Sequence, residues 1–253
     1  MGYIRAVWTF LGMVFMLILN LPAMLLALLI GLFNMDVRDK MTMFLVKAAF
    51  KVMLFNAGTK VHVTGLENIP KDKAVLYVGN HRSFFDVMVC FTYFPRITGF
   101  IAKKSFEKTP FISWWMRMLH SLFLDRDDIK QGLKVILEAI DHVKNGISIC
   151  VFPEGTRNRS YEKDMLDFHE GSFKIATKTD CPIIPMTMYN MSACFEDHFP
   201  KVYAKHVFID FGKPFIPSEL EPEEIKHIGA YTRDIMLKKY EELKKQYEEL
   251  NIK

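Results

Sequence analysis

Four short apolar runs along this chain each stop abruptly at a cluster of polar and charged residues, and this recurrence limits the possible folds more than any other feature. The runs cover residues 74–78, 98–102, 122–124 and 147–152, and they end at Gly79-Asn80-His81, Lys103-Lys104, Asp125-Arg126-Asp127-Asp128 and Pro153-Glu154-Gly155-Thr156-Arg157. Short runs that are apolar throughout suit strands covered on both faces, the condition of a parallel sheet with helices above and below. In an open α/β sheet, ligands bind at the carboxyl ends of the strands, where the loops converge on a crevice. An α/β fold is therefore expected, with its chemistry in the polar clusters.

The first cluster carries the strongest chemical signal. His81 follows the apolar run directly, and Asp86 stands five positions further on. If the segment from Arg82 onward is helical, Asp86 lies a little over one turn ahead and reaches back to the imidazole. A carboxylate placed so fixes the tautomer and stabilises the imidazolium after proton transfer. The competing reading is a surface loop in which the two side chains never meet. In the fourth cluster, Gly155 permits close backbone approach, and Arg157 and Arg159 present planar forks suited to phosphate oxygens. Taken singly, Lys104, Arg159 and Asp128 read as solvated surface charge.

In its ordered blocks, the chain resembles the 1-acylglycerol-3-phosphate O-acyltransferase family, the PlsC-type glycerolipid acyltransferases, from about residue 61 to residue 215. The first block is matched by Asn80-His81-Arg82-Ser83-Phe84-Phe85-Asp86. The second resembles Ile101-Ala102-Lys103-Lys104-Ser105-Phe106 with Thr109-Pro110-Phe111, followed by Phe123-Leu124-Asp125-Arg126. The third is Phe152-Pro153-Glu154-Gly155-Thr156-Arg157 and the fourth Cys181-Pro182-Ile183-Ile184-Pro185-Met186. Phe168, Gly171, Phe173 and Ala176 also fit the pattern between the third and fourth blocks. The resemblance implies a mixed sheet flanked by helices, with an N-terminal membrane-embedded helical anchor.

It also implies roles for particular residues. His81, assisted by Asp86, would act as general base on a lysolipid hydroxyl that attacks an acyl thioester directly. Glu154, Gly155, Thr156 and Arg157 would bind the phosphate and glycerol end of the acceptor, with Lys103 and Arg126 completing an electropositive pocket. Ser83 lacks the Gly-x-Ser-x-Gly elbow expected of a nucleophile. Pro182 and Pro185 suit an edge strand or a bulge, and their block is expected to shape the acyl pocket. The implied reaction forms phosphatidic acid from lysophosphatidic acid. Its donor is acyl-CoA or acyl carrier protein, a co-substrate, so no cofactor is expected. Other lysolipid acceptors stay open, as do a silent lipid-binding protein, against which the presence of both His81 and Asp86 argues, and a hydrolase that activates water.

Residues 6–33 carry no charge, and as one helix they would extend about 42 Å, beyond the roughly 30 Å hydrocarbon core. Asn20 and Pro22 interrupt them near the middle. The segment is either one kinked span or a re-entrant hairpin, and family resemblance favours the hairpin. Arg38, Lys40, Lys47 and Lys51 outnumber Arg5 across the segment, so the catalytic domain is expected on the cytoplasmic face. A cleaved signal peptide does not fit, because the apolar region is too long and no small-x-small site follows it. Residues 35–55 mix apolar side chains with lysines, which suits an interfacial amphipathic helix as well as a core helix. Two units are thus expected: membrane-anchoring helices over 1–57 and an acyltransferase domain over 58–253.

Within that second unit, residues 128–145 repeat Ile129, Leu133, Ile136, Leu137, Ile140 and Val143 at helical spacing, with His142 off the stripe and solvated. Residues 218–253 read as a solvated helix packed on the domain. Trp114 and Trp115 suit either the core or a lipid interface. The four cysteines include no Cys-x-x-Cys pair and are expected to be reduced; no histidine spacing suggests a metal site. A net charge of +4 suits an acidic membrane surface and an anionic donor, and no nucleic-acid partner is expected.

Overall fold

A computed structural model describes residues 1–160 and 162–250. Helices α1 (Gly2–Leu19), α2 (Leu21–Gly31) and α3 (Met35–Ala57) precede β1 (Lys60–Thr64) and β2 (Leu76–Gly79). Then come α4 (Phe84–Tyr93), β3 (Thr98–Lys103), α5 (Ile112–Met118), β4 (Leu122–Leu124), α6 (Ile129–Lys144) and β5 (Ser148–Val151). The chain ends with α7 (Lys174–Thr179), β6 (Ile183–Tyr189), β7 (His206–Phe211), α8 (Pro222–Lys226) and α9 (Ile228–Glu249).

The seven strands form one sheet in the order β1-β7-β6-β2-β5-β3-β4. All neighbours are parallel except β6 and β7, so the sheet is mixed. The four apolar runs become β2, β3, β4 and β5, and β2 sits centrally between β6 and β5. Side-chain alternation divides the core in two. Tyr77, Cys150 and Ile184 face a layer containing α3, α4 and α5, while Leu76, Val78, Ile149 and Ile183 face α6, α7 and α9. Covering a large apolar side chain on either face contributes about 1.5–3 kcal/mol, which is why these runs hold their places without polar partners.

Because β7 runs against β6, β1 also runs against the five other strands. Its first residue therefore lies at the edge where β2 ends, and so does the end of α3, three residues earlier. The amide of Val202 donates to Gly2 O at 3.2 Å, which brings the start of α1 to the same edge.

Several expectations need correcting. Pro185 lies inside a central strand, paired with Val78 of β2, and not on an edge. The antiparallel ladder runs from Met186↔Phe211 onward and resumes at the Ile183↔Phe215 bridge, so two residues face three across the gap. The bulge part of the expectation therefore accounts for the proline, whose missing N–H falls where the ladder is interrupted. On α6, Val135, Ala139 and Val143 face the core, while Ile129 is 89% exposed and Leu133 and Leu137 are also exposed. The helix is rotated because its nearest neighbours, β4, β5 and α7, cover only that side. His142 is half-buried and packs edge-on against His120, and burial pulls its pKa below the ordinary imidazole value. Trp115 is buried and Trp114 exposed, so the pair divides between the two expected environments. The four cysteines are free and buried.

At the N-terminus the chain does not reverse at Asn20. That residue has φ −83° and ψ −4°, in the helical region, and bonds from Asn20 N to Met16 O (3.0 Å) and Met24 N to Asn20 O (2.8 Å) carry the helix across. Pro22 falls in the first turn of α2, where its missing N–H is tolerated. Gly12 lies against Asn56 and Gly31 against Arg38, so α1 and α2 run one after the other alongside α3 in the opposite direction. The reversal falls between Gly31 and Met35, and where a re-entrant turn is expected at Asn20-Pro22 the helical path continues. α1 is long and apolar enough to cross a membrane by length and composition, and most of it is uncovered by the rest of the fold. α3 packs Met43, Val46 and Leu54 into the core, the core-helix alternative, and leaves Phe44 and Phe55 outward. The tail forms α8 and α9, with Met236, Tyr240 and Leu243 packed inward; residues 251–253 lie outside the described residues.

Candidate active site

β2 ends at Gly79, and the polypeptide turns into α4 through Asn80, His81, Arg82 and Ser83. Ser83 is the N-cap of α4: its Oγ accepts the Phe85 N–H at 3.0 Å, and the Asp86 carboxylate accepts the Ser83 N–H at 2.7 Å. This reciprocal capping box starts the helix at this point. The same Asp86 Oδ2 accepts the Arg82 N–H at 2.7 Å and the His81 Nδ1–H at 2.8 Å. Asp86 is only 1% exposed, so three donors compensate one buried carboxylate. The two residues therefore meet, and the loop reading is set aside.

The His81 ring stacks on Phe152 with centroids 4.3 Å apart and planes at 17°, and its side chain is 19% exposed. Nδ1 is engaged by Asp86, and Nε2 has no partner among the described residues. In the neutral tautomer so fixed, Nε2 offers its lone pair at the crevice, the arrangement of a general base. Ser83 is 0% exposed and its Oγ–H donates to Glu196, so it is unavailable as a nucleophile.

The turn after β5 is held from within. Gly155 has φ +70°, a left-handed conformation that strains other residues, and a Cβ there would lie 3.1 Å from the His169 ring. That turn points Glu154 inward and Arg157 outward. The family resemblance implies that Glu154 touches the acceptor. Its carboxylate is instead buried, with Oε1 accepting the His81 N–H at 2.7 Å and Oε2 the Leu166 N–H at 2.8 Å. Glu154 is thus a positioning group that ties His81 to the 153–166 segment. Burial pushes its pKa up to about 7. A folded-state value above the ordinary 4.5 means the folded protein binds this proton more tightly than the unfolded chain does. The corresponding stability is present in full below about pH 4.5 and is lost as pH rises through about 7. Melting of wild type and Glu154→Gln from pH 4 to 8 is expected to differ in slope within that window, with the variant flatter. Parallel curves would exclude the linkage.

The other expected contacts separate. Thr156 is exposed, and Arg157 stands at the mouth with its guanidinium 4.1 Å from the Phe84 ring centroid and 3.2 Å from Glu196. Lys103 and Arg126 are exposed at the carboxyl ends of β3 and β4. With strands about 4.8 Å apart, they lie roughly 10 and 14 Å across the sheet from β2, on its crevice edge. Lys104 pairs with Asp125 at 3.0 Å, and Asp128 caps α6 by accepting the Gln131 N–H at 3.0 Å. Arg157 and Arg159 line a cavity of about 470 Å³ beside the dyad, together with Phe84, Phe195 and Glu196. The fourth block, expected to shape an acyl pocket, lies in the core: Cys181, Ile183 and Ile184 are buried.

Two site residues were missed in the sequence. The Asn80 amide exchanges two bonds with the Met188 backbone, at 2.9 and 2.8 Å, and so locks the end of β2 to β6. Its place beside His81 was visible, although its partner was not. Glu196 lies outside all four blocks, and no local pattern marks it.

An acyltransferase family model matches residues 60–189 of the chain. A 1-acyl-sn-glycerol-3-phosphate acyltransferase of Borreliella burgdorferi is 32% identical over 205 residues, 81% of each chain. One of Saccharomyces cerevisiae is 30% identical over 77% of this chain and 64% of its own. The crystal structure of the 1-acyl-sn-glycerophosphate (LPA) acyltransferase PlsC from Thermotoga maritima superposes with a TM-score of 0.78 at 26% identity, covering 96% of this chain and 99% of that one.

Proposed function

Because this chain belongs to the acyltransferase family, in its PlsC-type 1-acylglycerol-3-phosphate branch, we propose that it transfers an acyl chain from a thioester to the sn-2 hydroxyl of lysophosphatidic acid, forming phosphatidic acid. The observation that carries this reading is the His81–Asp86 pair at the carboxyl end of the central strand, with Nε2 free of partners among the described residues. Nε2 takes the hydroxyl proton as the acceptor oxygen attacks the thioester carbonyl. The tetrahedral intermediate then collapses, breaking the carbon–sulfur bond, and the imidazolium returns the proton to the departing thiolate. Asp86 stabilises the imidazolium between the two transfers. The balance closes without a cofactor. Arg157, with Lys103 and Arg126 further along the edge, supplies cations for the phosphates of acceptor and donor.

Residues 1–57 are assigned to membrane anchoring and 58–253 to catalysis, with the catalytic part on the cytoplasmic face. The uncovered apolar surface of α1 and α2 and the lysines and arginine of α3 support this assignment. The direct test is phosphatidic acid formation by purified protein in lipid vesicles containing lysophosphatidic acid, with acyl-CoA and acyl carrier protein thioesters in separate reactions. Phosphatidic acid from either donor is the expected result and identifies the donor. Product only with another lysolipid would move the acceptor assignment, and free fatty acid without an acceptor would replace transfer by hydrolysis.

A further inference from the structure

Glu196 belongs to the irregular segment between β6 and β7, far in sequence from the four blocks, yet its carboxylate joins two of them. Oε2 accepts the Ser83 Oγ–H at 2.5 Å, and Oε1 accepts the Phe84 N–H at 2.8 Å and a proton of Arg157 Nη1 at 3.2 Å. Ser83 and Phe84 open α4, the helix that carries Asp86, whereas Arg157 ends the turn that carries Glu154. The Phe84 ring then supports the guanidinium from below, 4.1 Å from its centroid.

Arg157 and Glu196 are 25% and 20% exposed at the side chain, so the pair is neither fully screened nor sealed off. A long side chain at a crevice mouth ordinarily samples many rotamers, and ordering it costs side-chain entropy. Here one carboxylate and one ring already hold it. Only Nη1 is engaged, and Nη2 and Nε have no partner among the described residues. Two donor nitrogens of a planar fork therefore remain to meet an anion in a fixed direction.

From this geometry we infer that Glu196 is the positioning residue of the acceptor site: it presets Arg157 for the phosphomonoester of the acceptor and aligns that group with the His81 helix. It rests on the acyl-transfer reading above. Glu196 touches neither the acceptor nor the donor, and its effect passes through Arg157. Losing its negative charge adds net positive charge near the phosphate, so simple attraction predicts tighter acceptor binding on neutralisation. Positioning predicts the reverse, and the sign of the change separates the two.

The experiment compares wild type with Glu196→Gln for turnover of lysophosphatidic acid, turnover of the phosphate-free acceptor monoacylglycerol, and binding of lysophosphatidic acid by tryptophan fluorescence in detergent micelles. The amide retains an acceptor for the α4 N-terminus but not the ion pair. KM and Kd for lysophosphatidic acid are expected to rise about tenfold, equivalent to about 1.4 kcal/mol, with kcat and the donor KM within twofold and monoacylglycerol turnover unchanged. Glu196→Asp keeps the negative charge at the α4 N-terminus but shortens the reach to Arg157, and is expected to raise the same KM by about threefold, so the inference stays testable if the first variant folds poorly. An unchanged or lowered KM and Kd would overturn it, as would an equal fall in kcat with both acceptors. Wild type that binds lysophosphatidic acid but forms no phosphatidic acid would overturn the reaction and leave binding to decide Glu196. Wild type that does neither would overturn both.

Discussion

Replacing His81 with alanine is expected to lower kcat by about 10²–10⁴, the usual worth of a positioned general base, while leaving the fold almost untouched. The imidazole is partly exposed, and its ring contributes one stacking contact with Phe152 and one bond to Asp86. The backbone bonds from His81 N to Glu154 and from Asn158 N to His81 O survive the substitution. The melting temperature should therefore stay within a few degrees, since about 1 kcal/mol shifts it by roughly 2–4 °C in a chain of this size. Vesicle assays at saturating acceptor, paired with thermal melts, give both numbers. Retention of more than about a tenth of kcat would remove His81 from the base role.

Asp86→Ala is expected to damage both properties. Its Oδ2 receives the Arg82 and Ser83 amides as well as the imidazole, and the alanine leaves two backbone donors unpaired near a buried helix start. Each unpaired buried donor costs about 1–3 kcal/mol, so melting should fall by several degrees. Free of its anchor, His81 also loses its fixed tautomer, and in Ser-His-Asp triads loss of the acid costs about 10⁴ in kcat. The two substitutions thus separate the chemistry of the pair from its structural work: similar losses of activity are expected, with a thermal loss only for Asp86. A stable, active Asp86→Ala protein would contradict the assignment of that carboxylate to both tasks.

The central strands were legible because runs such as Leu76–Val78 and Ile149–Val151 are apolar throughout, which only a strand or helix covered on all sides tolerates. His81 and Asp86 were legible because a helix of known pitch fixes what five positions mean. The edge strand β1 was not: it is the mixed sequence Lys60-Val61-His62-Val63-Thr64, held by its pairing with β7. The inward turn of Glu154 was equally hidden. A glutamate near a glycine and an arginine resembles a surface ligand, and its burial is made tolerable by the amides of His81 and Leu166, neither of them a neighbour in sequence. Glu196 shows the same limit at longer range, since its three donors come from blocks that precede it by about forty residues and by more than a hundred. The exposed residues Ile129, Leu133 and Leu137 mark another limit, because periodicity gives a helix its apolar stripe but not the width of what lies beneath it.

The reversal of β7 against β6, which carries β1 with it, sets the start of α1 and the end of α3 beside the crevice. On the anchoring role proposed above, a lysolipid reaches His81 by sliding sideways within its own leaflet, without crossing water. Encounter is then governed by the mole fraction of acceptor in that leaflet, an areal density that inert lipid dilutes and added buffer does not. Such an enzyme reads the composition of a surface, and its output follows the make-up of the membrane it helps to build.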